Sequence, residues 1–260
     1  MDGEAFTGIA ILVGIVVVIG AIAFFTIRAE RKLQAALQEL AQSRGWRYET
    51  FRDSGFGRRR ARKRFTMTPT DSSEGWTLEV TRRSSTNTGS GSRSKRGGKT
   101  GTTTDPGRAE FRAPEPAFQG GLAVFSTGAT AKAMGLGGGG AADSLMGMFD
   151  NKVGKAVMGH FLGADVGEHM GQLKSFPAPA GSKMTVMATA DPSMFFDLAA
   201  IDEALASWKP AKGFFKASPM MIVSESGVRL MVGQQITDPD SVAGLIDLGL
   251  SLRERAMRGG

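Results

Sequence analysis

The order of apolar and polar positions divides the chain into a leading apolar stretch, a helical repeat and a series of alternating segments. The apolar stretch runs from Ala5 to Ile27 without a charged residue. As a helix of about 23 residues it would rise roughly 34 Å, enough to cross a hydrocarbon core of about 30 Å. A cleaved signal peptide would begin with basic residues, whereas this chain begins with "MDGE". We therefore predict a tail over 1–4 and a retained transmembrane helix over 5–27.

The next segment, residues 28–45, has the spacing of an amphipathic helix. Its apolar residues recur every three or four positions at Leu33, Ala36, Leu37, Leu40 and Ala41, which places them on one helical face. Gly45 stands where a left-handed residue commonly ends a helix. The segment therefore predicts a linker helix that continues the membrane helix and packs on the chain's own domain.

Residues 46–127 predict a basic β-rich region. Trp76, Leu78 and Val80 alternate with polar neighbours, the period of a half-buried strand. Short strands are also predicted at 46–51, 64–69 and 108–114, and the apolar segment 121–127 predicts a buried strand. Residues 83–104 contain no apolar side chain, and such a composition predicts a disordered hairpin tip. Residues 128–181, rich in Gly and Met, predict a loop followed by a helix.

The last segment, residues 182–260, predicts the order strand, helix, strand, strand, helix. The first helix is expected to begin at Asp191 as the N-cap, with Pro192 in its first turn, and the second has the same Asp-Pro opening at Asp238. A hairpin is expected to turn at Ser226 and Gly227. This order predicts an α+β fold, in which helices pack on one face of a mixed or antiparallel sheet.

Charge is unevenly distributed along the chain. Residues 28–112 contain 20 Lys and Arg against 9 Asp and Glu, whereas residues 113–260 contain 12 against 14. Arg28, Arg31 and Lys32 directly follow the apolar stretch, and positive charge beside a span favours the cytoplasmic side. We therefore expect the N-terminus outside and the bulk of the chain in the cytoplasm. Because the chain contains no cysteine, disulfides, thiolate metal sites and cysteine nucleophiles are excluded.

Two basic segments are the candidate binding residues for an anionic surface. They are Arg58, Arg59, Arg60, Arg62, Lys63 and Arg64, and, in the predicted tip, Arg93, Lys95, Arg96 and Lys99. Three interpretations stay open: a solvated loop that reinforces topology, contact with anionic lipid headgroups, and nucleic-acid binding. The last would be sensitive to salt, and the segments lack the interleaved aromatic residues of a stacking surface.

The sequence gives no convergent catalytic, cofactor or metal-binding set. Gly135, Gly137 and Gly140 match G-x-G-x-x-G only formally, because seven residues separate Gly135 from the preceding predicted strand. His160 and His169 would point to opposite sides of one continuous helix. They could share a metal only if the helix broke at Gly163 or Gly167. We therefore predict no catalytic residue, cofactor or metal.

The segment "ALQELAQSRGWRYE" resembles a group of uncharacterised bacterial proteins with an N-terminal anchor, a short helix and a Gly-Trp-x-Tyr segment. The resemblance extends to the order of the later elements and to "VMATADPSMFFDLAAIDEAL" and "DPDSVAGLIDLGLSL". It implies a membrane-anchored α+β domain in the bacterial plasma membrane and brings no known activity.

The leading hypothesis is a non-enzymatic module that binds anionic lipid, or another membrane or cytosolic protein, at the cytoplasmic face. A membrane-tethered nucleic-acid-binding protein and an unrecognised membrane-associated enzyme are the alternatives.

Overall fold

The computed structural model describes residues 3–52, 63–81, 84–86, 103–105, 107–115, 117–118, 121–127, 169, 172–209 and 218–257. For residues 3–15, 52, 63, 84–86, 103–105 and 256–257 the description covers the backbone alone. Three α-helices and eleven β-strands lie in these ranges. The fold is α+β, as predicted.

The first helix, α1, spans Gly3–Ser43 without interruption. The predicted membrane segment and linker helix are thus one element. Leu37 and Ala41 are buried against the domain, and Leu33 is partly buried there. Gly45 ends the helical turn at a φ of 69°, a conformation that glycine adopts at little cost, and its N–H donates to the Gln42 carbonyl oxygen at 3.3 Å.

Nine strands form one antiparallel sheet, in the order β1-β2-β3-β6-β11-β10-β7-β9-β8. The strands are β1 Trp46–Arg52, β2 Lys63–Pro69, β3 Thr77–Thr81, β4 Ser84–Thr86, β5 Thr103–Asp105, β6 Arg108–Ala113, β7 Leu122–Thr127, β8 Lys174–Phe176, β9 Met184–Ala188, β10 Met220–Ser224 and β11 Gly227–Val232. β4 and β5 pair separately from the large sheet. Every pairing among these strands is antiparallel.

One face of the sheet is apolar across its whole width. A single row of cross-strand partners runs through Met67, Leu78, Phe111, Leu230, Met221, Phe125 and Val186, and all seven side chains are buried. The domain-proximal end of α1, α2 (Leu198–Ser207) and α3 (Pro239–Met257) contact this sheet. The hydrophobic core lies between these helices and the sheet, because both bury their apolar sides there.

The crossing of α3 over β6 depends on a glycine. A Cβ atom added to Gly249 would lie 2.4 Å from Cδ1 of Phe111 and 2.6 Å from its Cε1. Phe111 is fully buried and stacks on Trp76, with ring centroids 5.8 Å apart, so the ring has no open direction in which to move. The absence of a side chain at Gly249 lets α3 approach the sheet closely.

We expect Gly249→Ala to lower the free energy of unfolding by about 1–3 kcal/mol, the usual range for overpacking a core. Gly244→Ala, in the same helix, is the matched control, because its new Cβ would meet its nearest atom at an ordinary 3.8 Å. That substitution should raise stability by up to about 1 kcal/mol through helix propensity. Urea unfolding of both variants, followed by tryptophan fluorescence, checks the difference. Equal stabilities would contradict the packing argument.

The helix predicted to begin at Asp191 begins later. Asp191 caps only a 3₁₀ turn, Pro192–Met194, and α2 starts at Leu198 with Asp197 as its N-cap. One Asp197 carboxylate oxygen accepts the N–H groups of Ala199 and Ala200, each at 3.0 Å. The cause is the intervening Phe196, whose ring is buried against Phe118 and Phe125 and so keeps the chain out of a straight helix.

Other predicted elements also differ in detail. Strand β8 lies within residues 128–181, for which a loop and a helix were predicted, because it pairs with β9 at the sheet edge. The two ends of the predicted disordered tip form the β4–β5 ladder, and residues 87–102 between them lie outside the described residues.

The last hairpin turns at Glu225 and Ser226, one residue earlier than predicted, with Gly227 already paired to Ser224. The closing helix is confirmed, with Asp238 accepting the Ser241 N–H at 2.8 Å.

Candidate membrane-facing surface and charged sheet face

Residues 16–27 of α1, where side chains are described ahead of the first basic residue, expose apolar side chains on every side of the helix. The large side chains in this range are between 53% and 67% exposed, and they are Val16, Val17, Val18, Ile19, Ile22, Phe24, Phe25 and Ile27. Burying one such side chain stabilises a protein by about 1.5–3 kcal/mol, so covering this set is worth on the order of 10 kcal/mol. No helix among the residues with described side chains combines the length and apolar character of a membrane span.

Three exposed basic residues follow this apolar surface, namely Arg28, Arg31 and Lys32. We call them the basic collar. Packing on the domain starts one residue later, at the partly buried Leu33. The apolar surface, the basic collar and the domain contact therefore succeed one another on one continuous helix.

After α1 the chain turns directly into β1. The turn occupies only Arg44 and Gly45, and β1 then contacts α1. From Arg28 to Ser43 the helix rises roughly 23 Å, and the seven residues of β1 cover a similar length of about 20 Å. The far end of β1 is at Arg52, about 20 Å along the strand from this turn.

Both basic segments connect to that same end of the sheet. Arg52 pairs with Lys63 across the β1–β2 connection, Arg64 pairs with Thr81, and Thr81 pairs with Arg108 at the start of β6. The strand ends that flank residues 53–62 are therefore neighbours of those that flank residues 82–107.

Most of the predicted anion-binding residues lie outside the described residues, namely Arg58, Arg59, Arg60, Arg62, Arg93, Lys95, Arg96 and Lys99. Lys63 is the first residue of β2. Arg64 lies on the sheet, where its Nη1 is 3.7 Å from the Glu79 carboxylate and its guanidinium stands 5.2 Å from the centroid of the Phe51 ring. Arg64 thus contributes to sheet packing as well as to the charge of the run.

The face of the sheet opposite the helices carries a charged cluster that sequence reasoning missed. Glu110 is at its centre, with a side chain only 3% exposed. Its carboxylate accepts Nε of Arg112 at 2.9 Å, and it lies 3.8 Å from Arg108 Nη2 and 4.0 Å from Arg229 Nη1. We call these four residues the Glu110 cluster.

Strand register explains why the Glu110 cluster forms. Glu110 pairs directly with Glu79, and Arg112 pairs directly with Arg229. Like charges in direct cross-strand pairs repel, whereas the diagonal arrangement brings each carboxylate beside a guanidinium. The signal in the sequence was the alternation of Arg108, Glu110 and Arg112, but Arg229 comes from a distant strand.

A shallow depression of 410 Å³ lies over one end of the Glu110 cluster. Arg112, Arg229, Thr77, Ser226 and Glu110 contribute to its lining. Guanidinium and hydroxyl groups donate hydrogen bonds to carboxylate or phosphate oxygens, so the depression has the chemistry to hold one acidic group. The cluster also holds the sheet together, because a buried carboxylate requires a charged partner.

Two exposed aspartates have lowered pKa values for local reasons. For Asp71 the main cause is the backbone N–H of Ser73, and for Asp191 it is the Ser193 hydroxyl, each of which donates to the ionised carboxylate. Both residues cap 3₁₀ turns, which accounts for their shifts without a chemical role.

The histidine pair predicted to be non-ligating is only partly described. His169 is half-buried, with its ring near Gly121, and His160 lies outside the described ranges. Across the part of the chain with described side chains, no group of three or more His, Cys, Asp or Glu could hold a metal ion.

Comparison with protein-family models, with curated proteins and with solved structures finds no match to this chain.

Proposed function

We propose that this chain is a single-pass membrane protein whose α+β domain binds the anionic cytoplasmic face of the bacterial plasma membrane without acting as an enzyme. The observation that carries the proposal is α1, in which an apolar surface exposed on all sides continues without a break into a segment buried on the domain. A helix that is apolar all round requires an apolar environment.

The anchor depends on the whole apolar stretch of the sequence. Residues 16–27, the part with described side chains, would rise only about 18 Å, which is shorter than a hydrocarbon core of about 30 Å. Residues 5–15 supply the remaining length in the proposed span and are equally free of charge.

The attachment of α1 to the domain supports a fixed orientation at the membrane. Leu37 and Ala41 are buried on the sheet side, and Arg44 Nη1 lies 3.3 Å from the Asp247 carboxylate of α3. In the orientation we propose, the sheet end at Arg52 and Lys63 is turned towards the bilayer. Each basic residue near an anionic surface contributes about 1 kcal/mol, so the two basic segments and the collar would together hold this end firmly on the lipid.

The proposal predicts the accessibility of a single cysteine in the full-length chain. Because the chain has no native cysteine, Ser90→Cys introduces a unique thiol between Arg93 and the end of β4. We expect a membrane-impermeant maleimide to leave it unlabelled in intact cells and to label it after lysis. The protein should also stay in the membrane pellet after alkaline carbonate extraction. Labelling in intact cells would overturn the orientation, and release by carbonate would overturn the anchor.

Lipid binding is tested separately, in nanodiscs that hold the full chain. A fluorophore on Ser54→Cys should transfer energy to acceptors on the lipid headgroups more efficiently in anionic than in zwitterionic nanodiscs, and salt should weaken the difference. A matched variant with Arg58, Arg59, Arg60, Arg62 and Lys63 changed to Gln should lose it. If the difference is absent and the wild-type chain instead retains DNA or RNA at low salt, the nucleic-acid alternative is favoured.

A further inference from the structure

A second cleft lies in the helix layer, and its described lining shares no residue with the Glu110 cluster. It has a volume of 360 Å³ and is formed between the end of α2 and the middle of α3. The residues that matter for its chemistry are Trp208, Lys209, Gly244, Leu248, Ser251 and Arg255.

The Trp208 side chain is the unexplained group in this cleft. The residue is only 9% exposed, and its indole Nε1 is a buried donor with no hydrogen-bond partner among the described residues. A buried donor without a partner costs about 1–3 kcal/mol, and a buried tryptophan N–H usually finds an acceptor. The arrangement is therefore maintained at a cost to stability.

A glycine on the facing helix lies opposite the donor edge of the indole. A Cβ added to Gly244 would lie 3.8 Å from Trp208 Nε1 and 3.9 Å from its Cδ1. These are the two atoms of the N–H edge, so this edge faces the α3 backbone at Gly244 within the cleft. An alanine at this position would fit, and its methyl group would lie in van der Waals contact with the N–H edge.

The rest of the lining adds positive charge and an apolar floor. Lys209 is exposed at the end of α2. Arg255 is held on the cleft wall because its Nη1 donates to the Ala200 carbonyl oxygen at 3.1 Å. Leu248 is buried and gives an apolar surface. One indole donor, two cations and an apolar floor together suit an anionic group attached to a short hydrocarbon.

We propose that the cleft between α2 and α3 binds a small amphiphilic anion. Its carboxylate or phosphate oxygen accepts from Trp208 Nε1 and lies near Lys209 and Arg255, and its hydrocarbon part contacts Leu248. Because Nε1 is covered, binding requires a small shift of the indole. The proposal stands independently of the membrane anchor, since none of the described lining residues belongs to α1.

The test uses the full-length chain in nanodiscs, labelled with 5-fluorotryptophan. The chain has three tryptophans, and Trp208→Phe assigns the Trp208 ¹⁹F resonance by its loss. We expect hexanoate or hexyl phosphate to shift that resonance saturably. Whichever of the two probes binds more tightly identifies the headgroup as carboxylate or phosphate. The absence of a saturable shift with both probes would overturn the proposal.

Two variants separate binding from folding. Gly244→Ala and Trp208→Phe should each weaken binding of the same probe at least tenfold, measured by isothermal titration calorimetry. The thermal midpoint of Gly244→Ala should stay at or above that of the wild-type chain, so that its loss of binding cannot come from unfolding. Ser207→Ala is the control on the cleft rim, because the Ser207 hydroxyl already donates to the Ala204 carbonyl oxygen, and it should bind normally. Unchanged affinity in both Gly244→Ala and Trp208→Phe would show that the indole edge is not the binding site.

Discussion

Gly227→Ala is expected to destabilise the domain by about 3–5 kcal/mol, since it combines severe overpacking with backbone strain. Gly227 has a φ of 110°, which side-chain-bearing residues rarely adopt. Its new Cβ would lie 2.1 Å from the Ala113 carbonyl oxygen and 2.5 Å from the Pro114 carbonyl carbon. Ala113 is the last residue of β6 and Pro114 follows it, so these backbone atoms cannot retreat without breaking the Val228–Ala113 pairing. Urea unfolding of the full-length chain measures the loss.

Gly181→Ala is the control for this substitution. Gly181 also has a positive φ, of 78°, but a Cβ there would meet nothing within 4 Å. We expect it to cost about 1 kcal/mol from backbone strain alone. The difference between the two variants isolates the clash with β6. If Gly227→Ala lowered the free energy of unfolding no more than Gly181→Ala, the inference that β11 lies too close to β6 for a side chain at position 227 would be wrong.

Glu110→Gln is expected to cost about 3–5 kcal/mol, the usual result of removing one partner from a buried ion pair. The glutamine has nearly the same shape and can still accept the Arg112 Nε hydrogen bond. The loss in the free energy of unfolding therefore comes mainly from removing the negative charge. The Arg229 side chain is only 10% exposed, and it would lose an anionic neighbour without gaining water. The free energy of unfolding from urea titration is the measurement.

The matched control is Glu79→Gln. Glu79 is the direct cross-strand partner of Glu110, but it is 25% exposed and its ion pair with Arg64 is longer, at 3.7 Å. A pair of this kind contributes about 0–1 kcal/mol. Equal small losses in the two variants would mean that Glu110 does not hold the guanidinium groups together.

The local elements of the fold could be predicted because each one is encoded by neighbouring residues. The alternation of Trp76, Leu78 and Val80 predicted β3, and the spacing of Leu33, Leu37 and Ala41 predicted the domain-facing side of α1. Both follow from the periods of strand and helix. The boundary of α2 was predicted wrongly, because Asp191 and Asp197 are equally good N-caps and only the burial of Phe196 in the tertiary structure distinguishes them.

The strand order could not be predicted from local patterns. β6 lies beside β11, and β7 lies between β10 and β9, so the partners are set by contacts between distant parts of the chain. The Glu110 cluster shows the same limit: its Arg108, Glu110 and Arg112 share one face of one strand, but the buried Arg229 joins them only through that strand order. The basic segments, Arg58–Arg64 and Arg93–Lys99, were recognisable from composition alone, and their binding stays a prediction.

The pairing of β6 with β11 has a consequence for synthesis. β1, β2, β3 and β6 neighbour one another in chain order and can form a meander as soon as they are made. The outer edge of β6 must then wait for β11, about 115 residues later, which takes roughly 6–23 s at a translation rate of about 5–20 residues per second. An unpaired strand edge is a template for aggregation. During that interval the nascent chain carries an open edge whose exposed face presents Arg108 and Arg112, and these charges disfavour pairing with another copy of the same strand.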